Sequence, residues 1–291
     1  MRDWKEKLTE VFLGLNAVAV VLILIVIFIF IGFTGLKFFF KVNPAEFFLK
    51  TTWDPTGLVE QSWGVLGLLT GTLFIAIGSL GFAIPLGIAS AIYLAKIASD
   101  RIREILKPFI EMIAAIPSVV LGLFGLLVLA PIIADLSGIP SGLNALTASI
   151  LVGFMALPTI ISISEDALSS VPKSYEEASY ALGATRWETI RKVTVPAAKS
   201  GIIASLMLGF GRVIGETMVV LMVAGNAIAM PKSFLDPVRP MTANIAMEAT
   251  EVVQGGIHYQ ALFAIATFLF IMTFGVNTIA DWIIHRGGEA R

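Results

Sequence analysis

The chain has 291 residues, 57% of them hydrophobic and only 14% charged, with a formal net charge of -1 and a mean hydropathy of +0.89. A water-soluble globule is not built this way, so the composition specifies a polytopic membrane protein. The absence of cysteine excludes disulfides, thiol nucleophiles and cysteine metal sites, and two histidines, His258 and His285, argue against a histidine-built metal centre.

In chain order, Trp4, Leu8, Val11 and Phe12 share one helical face and predict a short interfacial helix. The apolar run 11–33 outlasts a signal-peptide core, and no small-residue cleavage site follows it. It reaches the roughly 20 residues that a bilayer demands. Apolar segments at 66–95, 109–130, 144–164, 198–224 and 260–284 complete six spans, and Pro85, Pro117 and Pro158 are expected to kink three of them. Residues 34–65 carry Trp53 and Trp63, suited to a membrane interface. Within 225–259, Met241, Ile245, Ala249 and Val252 fall on one face of a short amphipathic helix. Fourteen of the 20 Lys and Arg lie in the N-terminus, 96–108, 169–199 and the C-terminus, against five in the alternate loops. Both termini are therefore expected to be cytoplasmic.

The most informative soluble segment is "SYEEASYALGATRWETIRKVTVPAA", residues 174–198. Ser174-x-x-Glu177 and Thr185-x-x-Glu188 read as capping boxes, each starting a short helix. Gly183 lies between them, where a reversal wants positive φ. Ala178, Ala181 and Leu182 form one apolar face, Trp187, Ile190 and Val193 another, and Pro196 closes the unit at the mouth of the fifth span. Two readings stand open: a capped connector along the membrane, or a knob shaped for a partner's groove. Glu177-Ala178-Ser179, then Gly183, then Val193-Thr194-Val195-Pro196 resembles the EAA signature of ABC importer permeases, with Ser and two Val as departures. The resemblance implies that the knob docks in a cleft of an ATP-binding subunit through Glu177, Ala178 and Gly183, Glu177 doubling as a cap. No phosphate-wrapping G-x-x-x-x-G-K-[ST] loop is present. ATP and Mg²⁺ are accordingly expected on a separate partner, with no cofactor on this chain and no enzyme activity of its own.

The fifth span contains "GFGRVIGETMVVLMVAGN", residues 209–226. Read as one helix, it places Arg212 near mid-membrane, where insertion costs about 2.5–3.5 kcal/mol. Ser205, Gly209, Arg212 and Glu216 then share a polar face, opposite Leu206, Phe210, Ile214, Met218 and Leu221. Pro196 and Arg212 would lie on one lever, roughly 24 Å apart. Either Arg212 and Glu216 form a structural salt bridge, or they form an anion station. Guanidinium suits a tetrahedral oxyanion. A carboxylate beside it would accept a proton-bearing oxygen of phosphate but meet only acceptors on sulfate. The adjacent carboxylates Glu165 and Asp166 read as a solvated helix end, and Asn226, Asp236, Arg239 and His258 as outer-loop polarity.

"GRVIGETMVVLMVAGN", "LDPVRPMTANIAME" and "HYQALFAIATFLF" resemble PstC-type permeases of phosphate ABC importers over essentially the whole chain. The fold this implies is all-α, with six transmembrane helices in the type-I ABC importer permease arrangement and a cytoplasmic coupling-helix loop. Residues 1–65 would form the N-terminal segment, first helix and external loop, 66–285 the permease core, and 286–291 a cytoplasmic tail. The implied function is half of a phosphate path across the cytoplasmic membrane. The implied partners are a PstA-type sister permease, two ATP-binding subunits and an extracytoplasmic phosphate-binding protein, with membrane lipid around them and no nucleic acid. Sulfate, molybdate or tungstate remain alternative cargoes. An autonomous ion-coupled carrier would need internal repeats and several intramembrane carboxylates, and an intramembrane enzyme a base or nucleophile constellation.

Overall fold

The structure, a computed structural model, describes residues 4–57 and 60–288, so that Arg2 and Arg291 of the charge pattern and the end of the 286–291 tail fall outside it. The described chain is helical apart from a two-residue antiparallel pairing, β1 (Trp53–Asp54) with β2 (Ser62–Trp63). Its helices are α1 (Trp4–Phe39), α2 (Pro44–Leu49), α3 (Leu66–Ile92), α4 (Asp100–Ala114), α5 (Ser118–Phe124), α6 (Ala130–Ser137) and α7 (Ala145–Ser169). They continue as α8 (Lys173–Ala181), α9 (Arg186–Thr189), α10 (Val195–Ala197), α11 (Lys199–Gly215), α12 (Met218–Val223), α13 (Met241–Glu248) and α14 (Ile257–Gly288). Single π-helical turns extend α3 over Tyr93–Ile97, join α5 to α6 over Gly125–Leu129, and follow α9 over Ile190–Thr194.

Helix α7 is the centre. Its faces meet α3 and α11, and Ala148, Val152, Ala156 and Ile160 are buried against Ile75, Ala83, Val213 and Ile214. Glycine lets these helices approach. A Cβ on Gly209 would stand 2.8 Å from the Ile160 side chain, and one on Gly87 would stand 2.6 Å from it. Small residues supply this contact in membranes, where lipid removes the hydrophobic drive between helices. A second cluster gathers Phe38, Phe47, Trp53, Trp63, Met241 and Ile265 where the loop after α1 folds over α13 and α14.

Four sequence expectations change. No separate interfacial helix precedes the first span: α1 runs unbroken for 36 residues, about 54 Å against roughly 30 Å of hydrocarbon. It touches α14, with Phe28 on Phe270 and Phe30 on Phe263, and its apolar side chains are exposed over residues 8–30, while Phe38 near its end is buried. Trp53 and Trp63 are core residues, 1% and 4% exposed, rather than interface anchors. The third span shifts from 109–130 to Ser118–Ser137. Pro117 does not kink a helix but starts one, because its extended backbone (φ -59°, ψ 135°) breaks the chain after α4. Pro85 and Pro158 do lie inside α3 and α7.

Among the described residues, five helices are long and apolar enough to cross a bilayer. The sixth, α11, qualifies only together with Arg186–Ala197, which meets it at 70°. The continuous lever from Pro196 to Arg212 is therefore absent. Gly209→Val should overpack the Ile160 contact by about 1–3 kcal/mol and lower the Tm of the detergent-solubilised chain. An unchanged Tm would mean that α7 and α11 are not locked there.

Candidate functional site

Two places gather the residues that the sequence singled out. The first is the knob after α7. Pro172 is the N-cap of α8, so Ser174 lies inside the helix and its capping box does not form. Glu177 consequently caps nothing: it is exposed and, among the described residues, has no side-chain partner. Its neighbour Glu176 turns inward, to Lys96 at 2.6 Å and the Thr194 hydroxyl at 3.2 Å. Gly183 adopts φ +85°, and the Gly183 and Ala184 amides bond back to Tyr180 and Ser179, closing α8 as a Schellman motif. The second capping box is present, with Thr185 accepting from the Glu188 amide and Glu188 accepting from the Thr185 amide. That amide, then the Thr185 hydroxyl and Lys192, hold the Glu188 carboxyl below its ordinary pKa.

The knob's surface is apolar at its tip. Leu182 is 90% exposed, flanked by exposed Tyr180 and Trp187, while Ala178 and Gly183 are open to solvent. Ile190 turns inward, so the predicted Trp187–Ile190–Val193 face is split between surface and core. Pro196 sits in α10, half-buried, just ahead of the 70° bend into α11.

The second place is the broken span. α11 ends at Gly215, Glu216 is extended (φ -67°, ψ 130°), and α12 begins at Met218. Arg212 therefore occupies the last turn of α11 and Glu216 precedes the first turn of α12, so the expected single polar face does not reach Glu216. Each charge matches its helix end: a cation at the carbonyl terminus, an anion at the amide terminus. The Glu216 carboxylate accepts from the Val219 amide at 3.0 Å, and the Glu216 carbonyl accepts from the Thr242 hydroxyl at 2.8 Å. The salt bridge does not form. Among the described residues no carboxylate lies within ion-pair reach of Arg212, whose side chain is half-buried.

Ser205 and Gly209 are both buried. Ser205 is fully buried and bonds the Ser164 hydroxyl at 2.6 Å, and Gly209 lies against Ile160. Both hold α11 to α7. Ser205, Gly209 and Arg212 still share one face of α11; only Glu216, beyond the helix end, leaves the predicted stripe.

Sequence reasoning missed two ionic clusters. Glu165 is not solvated but fully buried, bonded to Arg103 and Lys107 of α4 and to Ser169. Asp166 and Glu165 both push the Lys107 ammonium pKa above the ordinary lysine value. The signal was Arg103 and Lys107, one turn apart in a helix bordering α7. On the opposite side, Glu248 accepts from Trp53 Nε1 at 3.0 Å, contacts His258 at 2.7 Å and lies 3.6 Å from Arg239. Arg239 also donates to the Asn226 carbonyl at 2.9 Å, and Asp236 caps the turn at Lys232 and Ser233. Burial pulls the Arg239 pKa down and Glu248 partly offsets it.

The family described as "Binding-protein-dependent transport system inner membrane component" matches residues 83–286. A probable ABC transporter permease protein, YqgH of Bacillus subtilis, is 41% identical over 84% of this chain and 79% of its own. The phosphate transport system permease protein PstC of Haemophilus influenzae is 34% identical over 82% of this chain and 81% of its own. Among solved structures, a bacterial ABC transporter importing alginate aligns over 98% of this chain and 99% of that one, with a TM-score of 0.65 and 16% identity. A chain of the MetNI methionine ABC transporter aligns over 74% and 92%, with a TM-score of 0.58 and 19% identity.

The Glu188 shift fixes a pH dependence. Its folded pKa is depressed, so its contribution to the knob is present above the ordinary glutamate range and is lost as pH falls through the lowered value. Amide protection over 186–190, corrected for intrinsic exchange, should hold at neutral pH and decline on acidification. Thr185→Ala should remove about 1 kcal/mol of protection and flatten that decline. Equal protection in both proteins would contradict the box as the knob's fastening.

Proposed function

Because this chain belongs to the family of binding-protein-dependent transport system inner membrane components, we propose that it is the permease subunit of an ATP-binding-cassette importer for inorganic phosphate. It supplies half of the path across the cytoplasmic membrane, as a multi-pass protein with both termini on the cytoplasmic side. Residues 66–285 form the permease core, and α1 is peripheral. The named phosphate permeases among its relatives support the cargo, and the Lys/Arg asymmetry supports the orientation.

The observation that carries the cargo is Arg212: a half-buried guanidinium at a mid-span helix break with no carboxylate in reach among the described residues. Its parallel donors match two phosphate oxygens. Glu216, held by the Val219 amide, retains acceptor capacity for the protonated oxygen of hydrogen phosphate. Sulfate brings no such proton and meets the carboxylate unfavourably. Ser205 and Gly209 enter only as the packing that fixes α11.

No covalent chemistry is assigned to this chain. Alternating access is driven by two separate ATP-binding subunits that hold ATP and Mg²⁺, and a PstA-type sister permease completes the path. An extracytoplasmic phosphate-binding protein delivers the anion. The knob docks on an ATP-binding subunit through its apolar tip at Leu182 and Trp187, with Glu177, Ala178 and Gly183 beside it.

In proteoliposomes holding the whole importer, Arg212→Ala and Arg212→Lys should each cut ATP-dependent phosphate uptake at least tenfold without disturbing assembly. Uptake at the unsubstituted rate would remove Arg212 from the path. Glu216→Gln should narrow the preference for phosphate over sulfate; an unchanged ratio would assign selectivity elsewhere. Leu182→Glu, at a residue the fold does not bury, should release the ATP-binding subunits on co-purification, and their retention would move the docking surface off this tip.

A further inference from the structure

We propose that Glu165 is a positioning residue for ATP-driven transport: a buried carboxylate that pins α4 to the base of the docking knob, so that the two move together. This rests on the reading of the knob as the ATPase contact.

The bend between Arg186–Ala197 and α11 raises the question of what else carries displacement out of the knob. Helix α4 is a natural recipient, yet it buries no residue of its own within the chain. Its attachment is polar. Arg103 and Lys107, at i and i+4, both reach the two oxygens of Glu165, and Lys107 also holds Asp166 at 2.7 Å. Ser169 donates to Glu165 at 2.8 Å and accepts from Arg103 at 3.1 Å. Only Ser170–Pro172 separate this cluster from α8. The knob is tied a second time, where Lys96 after α3 pairs with Glu176 and its carbonyl accepts from Arg186.

The far end of the route is also built. Beyond Pro117, α4 gives way to α5, which lies on α12. Gly122 sits beneath Met222, where a Cβ would stand 2.6 Å from its sulfur. Because α12 starts directly after Glu216, displacement of α4 reaches one side of the broken span while displacement of α11 reaches the other. A carboxylate of zero exposure held by two cations suits this task, since sliding α4 would strand a charge inside the protein. Spatial continuity alone does not demonstrate coupling, so the measurement must read coupling itself.

Phosphate transported per ATP hydrolysed, in the reconstituted importer with its loaded binding protein, is that readout. Arg103 and Lys107 are 36% and 28% exposed, so Glu165→Gln leaves them solvated rather than stranded. The variant should assemble and hydrolyse ATP while its ratio falls at least threefold. An unchanged ratio, or transport and hydrolysis falling in proportion, would overturn the pin. If that variant fails to assemble, Arg103→Cys with Glu165→Cys decides, because the chain has no other cysteine. Bridging the pair with a short bis-maleimide should restore the ratio relative to the unbridged protein; equal ratios would overturn the proposal. Failure of the docking reading would appear separately, as retention of the ATP-binding subunits by Leu182→Glu.

Discussion

A helix that stops inside a bilayer frees backbone amides and carbonyls that water cannot reach, and the protein must satisfy them itself. That constraint at Glu216–Thr217 organises this chain. Glu216 takes up the Val219 amide, and Thr242 takes up the Glu216 carbonyl, which places α13 beside the break. The Met241 amide bonds the Thr72 hydroxyl of α3, and the loop before α13 is held by Arg239 on the Asn226 carbonyl. The cluster of Glu248, Trp53 and His258 then fixes Arg239 from outside. The carbonyl end of α11 favours the charge of Arg212, which under the proposed function receives the phosphate anion.

Packing supplies the frame for that break. Helix α7 is central to the core, and two glycines, at 87 and 209, let α3 and α11 approach Ile160. The knob is attached differently. Its internal order comes from caps and the Gly183 reversal, and its attachment comes from ion pairs at Lys96–Glu176 and around Glu165. Apolar packing gives a rigid core and charged clamps give a discrete grip, a division suited to a part that must move as a unit. Helix α11 itself is bent away from this part by 70°.

Much of this was legible in the sequence. Four of the six spans, the Gly183 reversal and the Thr185–Glu188 box follow from local chemistry and are present, while the third span is shifted and the fifth is bent. The EAA-like spacing and "GRVIGET" identified the family because they are short, contiguous and specific. What sequence could not give was decided between elements. A largely apolar stretch reads as one helix, so the break after Gly215 was hidden, and with it the true neighbours of Glu216. Ser174 looked like a cap until Pro172 took that position. Glu165 looked solvated because its cations lie some 60 residues earlier, on a helix whose register only folding reveals.

The most direct measurement is the position of phosphate in an experimental structure of the assembled, phosphate-loaded importer trapped in mid-transport. The anion should lie within hydrogen-bond distance of the Arg212 guanidinium, between the facing ends of α11 and α12. Phosphate resting elsewhere in the path, with Arg212 closed onto Glu216, would contradict the reading of the broken span as its station.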